Sequence, residues 1–301
     1  MRKLQHSSGD LVADRRGRYA EALASEGAYD EAAEVVVQAL ELVPDWAAGW
    51  HNLGRYREET GDIEGAKVAW RRSAALDAEG QYGAALKLAA HGEAGAVDGS
   101  AYVETLFDDY ASRFETSLVD RLGYSVPDEL AEMIAAMVPP PVGLALDLGC
   151  GTGLVGERLR KMARRLEGVD ISEAMLAEAR RKQIYDRLHK GELTQFLAGW
   201  EEKADLVTAA DVLNYTGALP PVLAAVRAVL VPGGWFGFSL EVFDGPEPLR
   251  LQTNLRYAHQ PELALEACAR AGFDAIVQQD CVIRLDRGVP VKGLLVLGRA
   301  G

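Results

Sequence analysis

The sequence predicts an α/β protein built on a doubly wound, largely parallel sheet, preceded by an all-α domain of helical repeats. Three observations predict it. From residue 143 onward, short apolar runs alternate with helical patterns. A glycine-rich turn joins the first of those runs to the first helix that follows. Upstream of residue 98, the chain matches itself at a period of 34.

Length and composition permit this plan. The 301 residues suffice for one large or two smaller domains, and 49% hydrophobic with 26% charged residues supports a sizeable core in an ordinary globular chain. Net charge is −13, and it is spread: residues 1–98 carry 11 Lys and Arg against 17 Asp and Glu, the remainder 21 against 28. A negative surface disfavours general binding to phosphate backbones, so nucleic acid is set aside as a partner. Cys150, Cys268 and Cys281 are far apart, with no metal-ligand spacing and no disulfide framework, which fits a reducing, cytoplasmic setting. The sequence shows no apolar secretory leader and no run of 18 apolar residues, so no membrane partner is expected.

The helical repeats are read from EGAYDEAAEVVVQALELVPD and TGDIEGAKVAWRRSAALDAE, which align Gly27 with Gly61, Tyr29 with Ile63, Ala32 with Ala66, Val36 with Trp70 and Leu42 with Leu76. Small residues recurring at this period mean stacked helix pairs. WHNLG at 50–54, followed by Gly61, Ala66 and Trp70, resembles tetratricopeptide repeats. The first copy has Gly27, Ala32, Ala39 and Pro44 but lacks a large aromatic at the position of Trp70, and Arg57 replaces the usual tyrosine. A third helix spans 81–91. The domain is placed at 1–98, with the small and polar residues of 92–100 as its linker. Two roles fit such an array: a groove for a protein or peptide partner, or an assembling appendage that supports a homo-oligomer.

Residues 99–142 are read as a helical lid and 143–301 as the αβ core. Phe107, Tyr110 and Phe114 share one helix face, extended by Leu118. Phe107 and Leu118 are read as core. The hydroxyl of Tyr110 and the guanidinium of Arg113 suit the carboxylate end of an amino-acid-like cofactor. A second helix starts at Pro127 and stops at the triple proline 139–141. Strands are expected at 144–148, 165–170, 204–209, 234–240, 274–283 and 291–297, with a weak one near 193–197. Helices are expected at 154–162, 172–184, 219–230 and 261–271. The last two strands are joined by the turn at Arg287-Gly288 without a helix and so form an antiparallel pair at one edge.

LDLGCGTGLVG at 146–156 carries the chemistry. Glycines let a ligand approach the backbone. Gly151-x-Gly153-x-x-Gly156 matches the dinucleotide fingerprint, a weak signal alone. Asp147, just before the glycines, would repel a pyrophosphate and suits the positively charged amino and sulfonium end of S-adenosylmethionine. Asp170, ending the second strand, can accept both ribose hydroxyls, and Met175 is placed against adenine. Glu192 offers an acceptor for the adenine amino group.

Together LDLGCGTG, GVDIS, ADLVTAADVLNY and LVPGGWFGFSLE resemble class I S-adenosylmethionine-dependent methyltransferases over residues 100–301. FDDYASRFE followed by LGYSVP resembles the N-terminal segment of a bacterial group of these enzymes that also carries tetratricopeptide repeats. The resemblance implies a seven-stranded Rossmann-like methyltransferase sheet, S-adenosyl-L-methionine as cofactor and methyl transfer as the activity. By position it implies that Asp147, Gly149, Cys150 and Gly151 line the methionine end, that Asp170, Ile171 and Met175 hold ribose and adenine, and that Asp211 and Val212 sit beside the sulfonium. Near adenine, the usual acidic-apolar pair is only approximated at Glu192.

The acceptor is not identified. Asn214, Tyr215 and His259 are candidates on its side, and none is assigned as a general base. Recruitment of a protein or carrier-bound acceptor by the repeats is the first reading. A small-molecule methyltransferase with structural repeats, a non-catalytic S-adenosylmethionine-binding protein and a nicotinamide-dependent oxidoreductase are the alternatives.

Overall fold

A computed structural model describes residues 7–93, 97–115, 123–286 and 288–301. Two compact units are present: Met1–Thr105 with Thr253–Leu255, and Leu106–Gln252 with Arg256–Gly301.

The first unit is all helical among its described residues: α1 (Leu11–Ser25), α2 (Tyr29–Leu42), α3 (Ala47–Glu59), α4 (Ile63–Leu76) and α5 (Ala84–Ala90). The matched residues Tyr29 and Ile63 open α2 and α4. Gly27 and Gly61, between the paired helices, share φ values of +83° and +84°, which side chains rarely adopt. Asp10 caps α1 and Asp62 caps α4 through their carboxylates. Small residues bring helices close to large rings: a Cβ on Gly49 would lie 2.4 Å from the Trp46 ring, and one on Gly54 would lie 2.3 Å from Nε1 of the fully buried Trp70.

Helix α6 (Ser100–Tyr110) runs from the first unit into the second and passes into a 3-10 turn at Ala111–Arg113. Leu118, expected on its aromatic face, lies outside the described residues. Helix α7 (Val126–Met137) buries Leu130, Met133 and Ile134. The sheet then begins: β1 (Val142–Leu148), α8 (Leu154–Leu159), β2 (Ala163–Asp170), α9 (Glu173–Lys182), β3 (Arg187–Lys190), α10 (Leu193–Ala198), β4 (Ala204–Ala209), α11 (Leu219–Val229), β5 (Leu230–Val242), β6 (Leu249–Leu251), β7 (Tyr257–His259), α12 (Pro261–Arg270), β8 (Phe273–Asp286) and β9 (Val289–Ala300).

Five strands run parallel in the order β3-β2-β1-β4-β5. β9 pairs antiparallel with β5, and β8 closes that edge against β9, as the missing helix between them predicts. The expected turn residue Arg287 lies outside the described residues. Alternation along β1 sends Leu144, Leu146 and Leu148 into one core, with α10, α11 and α12, while Ala145 faces the other, with α7 and α8.

Two expectations are corrected. The sheet has nine strands rather than seven, because β6 and β7 form a hairpin whose β7 pairs parallel with the carboxyl end of β5 at Glu241 and Val242. Three-residue strands carry too short a period to read; long-range pairing creates them. The apolar run at 193–197 is helix α10, not a strand. Glu192 caps it, accepting the Gln195 N–H at 2.9 Å, and β3 lies just upstream, with half-exposed and exposed residues.

Candidate functional site

The carboxyl ends of β1, β2, β4 and β5 meet where a doubly wound sheet places ligands. The turn after β1 uses left-handed glycines at 149, 151 and 153, with φ of +62°, +53° and +95°. A Cβ on Gly149 would strike Val212 at 2.4 Å, whereas one on Gly151 would meet nothing within 4 Å. The turn is therefore packed against the β4 end on one side and open on the other. Asp170 ties it to the next strand: Oδ2 accepts the Gly151 N–H and Oδ1 the Ser172 N–H, both at 2.8 Å. The Cys150 N–H donates to the Val169 carbonyl. A shallow cavity of about 40 Å³ lies here, lined among others by Phe114, Tyr124, Asp147, Gly149, Gly151 and Ala210.

Asp147 and Asp170 are both buried. Burial pushes each carboxyl up from 3.8 to about 6, against the hydrogen bonds that favour the charged form. Burial also raises the Cys150 thiol, which leaves it protonated and unreactive near neutral pH.

The structure brings Asp147, Gly149, Cys150, Gly151, Asp170, Asp211 and Val212 to this edge. Ile171 follows Asp170 and is half-buried, whereas Met175 is 1% exposed within the packing of α9. The Glu192 carboxylate is engaged as the α10 cap. Arg113 is exposed and sits 5.7 Å above the Tyr110 ring, and Tyr110 meets Phe114 edge-on.

Sequence reasoning missed Asp108, Tyr185, Arg256 and Arg284. Asp108 accepts the Ser172 hydroxyl at 2.6 Å and the Ala174 N–H at 3.1 Å, which fixes α6 at the start of α9. On the β4–β5 side lies a buried cluster. Arg256 donates to Asp211, Glu241 and the Tyr215 hydroxyl. Arg284 donates to Glu241 at 2.7 Å, and Asn214 donates to Asp211 at 2.8 Å and to Glu241 at 3.2 Å. Two local distortions build it. Asp211 takes φ +56°, and a register shift between Val282 and Arg284 turns Ile283 and Arg284, neighbours in sequence, both inward. Phe107 meets Tyr215 edge-on at 5.4 Å, so the α6 segment borders this cluster.

His259, buried on β7, pairs through Nε2 with the Gly217 carbonyl at 2.9 Å, while Nδ1 is buried with no hydrogen-bond partner among the described residues. The carbonyl accepts only, so Nε2 carries the hydrogen. Burial lowers the imidazole pKa, leaving Nδ1 a bare lone pair. No group of three or more His, Cys, Asp or Glu among the described residues could hold a metal ion, and none of their helices is long and apolar enough to cross a membrane.

Residues 146–236 match the family described as a methyltransferase domain. The matched residues run from β1 to β5 of the αβ unit. Among curated relatives, the malonyl-[acyl-carrier protein] O-methyltransferase of Pectobacterium atrosepticum is 29% identical over 109 residues, 36% of this chain and 43% of that protein. The dimethylglycine N-methyltransferase of Parasynechococcus marenigrum is 32% identical over 145 residues, 46% of this chain and 51% of that protein. The chain thus spans about half the length of the curated relatives it matches. Among solved structures, 1,6-didemethyltoxoflavin-N1-methyltransferase of Burkholderia thailandensis, with bound S-adenosylhomocysteine, aligns at a TM-score of 0.52 and 22% identity, over 69% of this chain and 92% of that one. A chain from the complex of the Haloferax volcanii Trm112 methyltransferase activator aligns at 0.53 and 21%, over 66% and 97%. At such identities the likeness establishes the fold, a Rossmann-like methyltransferase sheet. The family match and relatives named as O- and N-methyltransferases support S-adenosylmethionine as the cofactor of the methyltransferase domain and methyl transfer as its reaction.

Proposed function

We propose that this protein transfers a methyl group from S-adenosylmethionine to an acceptor recruited by its N-terminal helical unit. The observation that carries the reading is Asp170, which joins the open glycine turn to the start of α9 through both carboxylate oxygens. Each oxygen keeps a further lone pair, so the carboxylate can accept two ribose hydroxyls without giving up the turn. The donor set fits the cofactor: two buried carboxylates, Asp147 and Asp170, with no cation bonded to either among the described residues, beside a turn whose outer side is open.

Bound S-adenosylmethionine supplies an electrophilic methyl group on a sulfonium, a good leaving group. The protein's part is alignment of the two reactants and exclusion of water. Gly149 to Gly153 give the methionine end close backbone approach, with Val212 packed against the turn. Tyr110 and Arg113 contribute to the cover over this end, with Ile171, Met175 and Glu192 toward the adenosine. The acceptor lies on the β4–β5 side, over Asp211, Asn214 and Tyr215.

A tetratricopeptide-like groove in the first unit accounts for the paired helices and their repeated small residues. The relatives named for carrier-bound and free small acceptors are compatible with either acceptor class.

Two measurements test the reading. Calorimetric titration is expected to give micromolar binding of S-adenosylhomocysteine and none of NADH; the reverse would exclude it. Removing residues 1–98 is expected to abolish transfer of radiolabelled methyl to the native acceptor in cell extract while leaving S-adenosylhomocysteine affinity unchanged. Retained transfer would make the helices dispensable for recruitment.

A further inference from the structure

Tyr185, in the loop between α9 and β3, belongs to none of the motifs, yet the glycine turn is built around it. Its hydroxyl donates to Asp147 Oδ2 at 2.6 Å, and Thr208 donates to Oδ1 at 2.9 Å. Room for the ring comes from three glycines. A Cβ on Gly156 would lie 2.3 Å from the Tyr185 oxygen, one on Gly168 3.0 Å from the ring and one on Gly153 3.1 Å from it. Gly156, the last glycine of the fingerprint, is thus the residue that admits this phenol.

We infer that Tyr185 is a positioning residue: its hydroxyl fixes the Asp147 carboxylate beneath the glycine turn and thereby sets the affinity for the cofactor. This rests on the proposed role of Asp147 toward the cofactor's positively charged end. Asp147 is 1% exposed, and no cation is bonded to it among the described residues. The charged and titratable groups facing it are Tyr185, Asp170, Cys150 and Tyr124, besides the neutral Thr208. None of these is a base that would hold the carboxylate ionised by a countercharge. The two hydroxyl donors therefore do that work, because a donor to a carboxylate favours its charged form. Burial and Asp147 both raise the Tyr185 phenol, so it stays a donor throughout the neutral range.

The test is calorimetric titration of the full chain with S-adenosylhomocysteine between pH 5.5 and 8.5, comparing wild type with Tyr185→Phe, and thermal melting of both. The variant keeps the ring and loses one oxygen. Wild-type affinity is expected to rise through pH about 6 and level off. Tyr185→Phe is expected to bind about eightfold more weakly at pH 5.5 and about twofold more weakly at pH 7, because losing one donor to the charged form raises the Asp147 carboxyl. Its rise should lie about one pH unit higher, so that the gap narrows at pH 8.5. A merely structural tyrosine would weaken binding by the same factor at every pH, and that result, or wild-type affinity with an unshifted midpoint, overturns the inference. If Tyr185→Phe melts before it can be titrated, Thr208→Val removes the donor to the other oxygen and is read for the same midpoint shift. Wild-type protein that binds no S-adenosylhomocysteine overturns the cofactor reading instead.

Discussion

Glu241→Ala is expected to lower the melting temperature by about 10 °C. Glu241 is 2% exposed and accepts from Arg256, from Arg284 at 2.7 Å, from Asn214 at 3.2 Å and from Gln252 at 2.9 Å. Its removal leaves Arg284 with Asp211 alone, at 3.9 Å, in a buried setting. Stripping one partner from a buried ion pair costs about 3–5 kcal/mol, and each kcal/mol moves the transition of a unit this size by about 2–4 °C. Burial alone would raise the Glu241 carboxyl, but Arg256 and Arg284 outweigh it and hold the group below its ordinary 4.5. A depressed carboxylate stabilises the fold fully above pH 4.5 and loses that contribution as pH falls through the lowered value. Wild type and variant should therefore converge in acid. Glu241→Gln, which keeps the shape and one acceptor, should fall between them. A melting temperature for Glu241→Ala within about 2 °C of wild type would mean that water solvates the cluster.

That cluster also marks where the sequence stops being legible. The glycine turn and Asp170 could be read because their signals are local: an apolar run, left-handed glycines in fixed order, and an acid where the next strand ends. The edge pair β8–β9 followed from a missing helix. Arg256 and Arg284 carry no such signal. They reach Glu241 only because the β6–β7 hairpin folds back on the end of β5 and because a bulge turns Arg284 inward, and neither event leaves a periodicity. Tyr185 was hidden for the same reason, since its partners Asp147, Gly156 and Gly168 lie on other elements. At 193–197 a short apolar run was ambiguous between strand and helix, and Glu192, in capping distance, decided for the helix.

Asp170→Ala should weaken S-adenosylhomocysteine binding by one to two orders of magnitude while the sheet stays folded. Two losses combine. The Gly151 and Ser172 N–H groups lose their acceptor, which frees the turn from α9, and the ligand loses the carboxylate that would take its ribose hydroxyls. A hydrogen bond to a charged group contributes about 1.5–3 kcal/mol, and about 1.4 kcal/mol is tenfold in affinity, so one or two such bonds set the range. Asp170→Asn keeps one acceptor oxygen and should lose less. The pH profile separates the two acids. Burial places both Asp147 and Asp170 at about 6, the latter with Asp108 adding like charge. Raised acids subtract stability from the ligand-free fold as pH climbs from about 4 to 6, because the folded state then gives up protons it holds more tightly than the unfolded chain. A ligand that needs both carboxylates charged must bind more tightly over the same interval. In Asp170→Asn, only Asp147 remains to titrate, so the slope of affinity against pH should fall by half while its midpoint stays near 6. An unchanged slope would assign the whole pH dependence to Asp147, and an unchanged dissociation constant would move the ribose site away from Asp170.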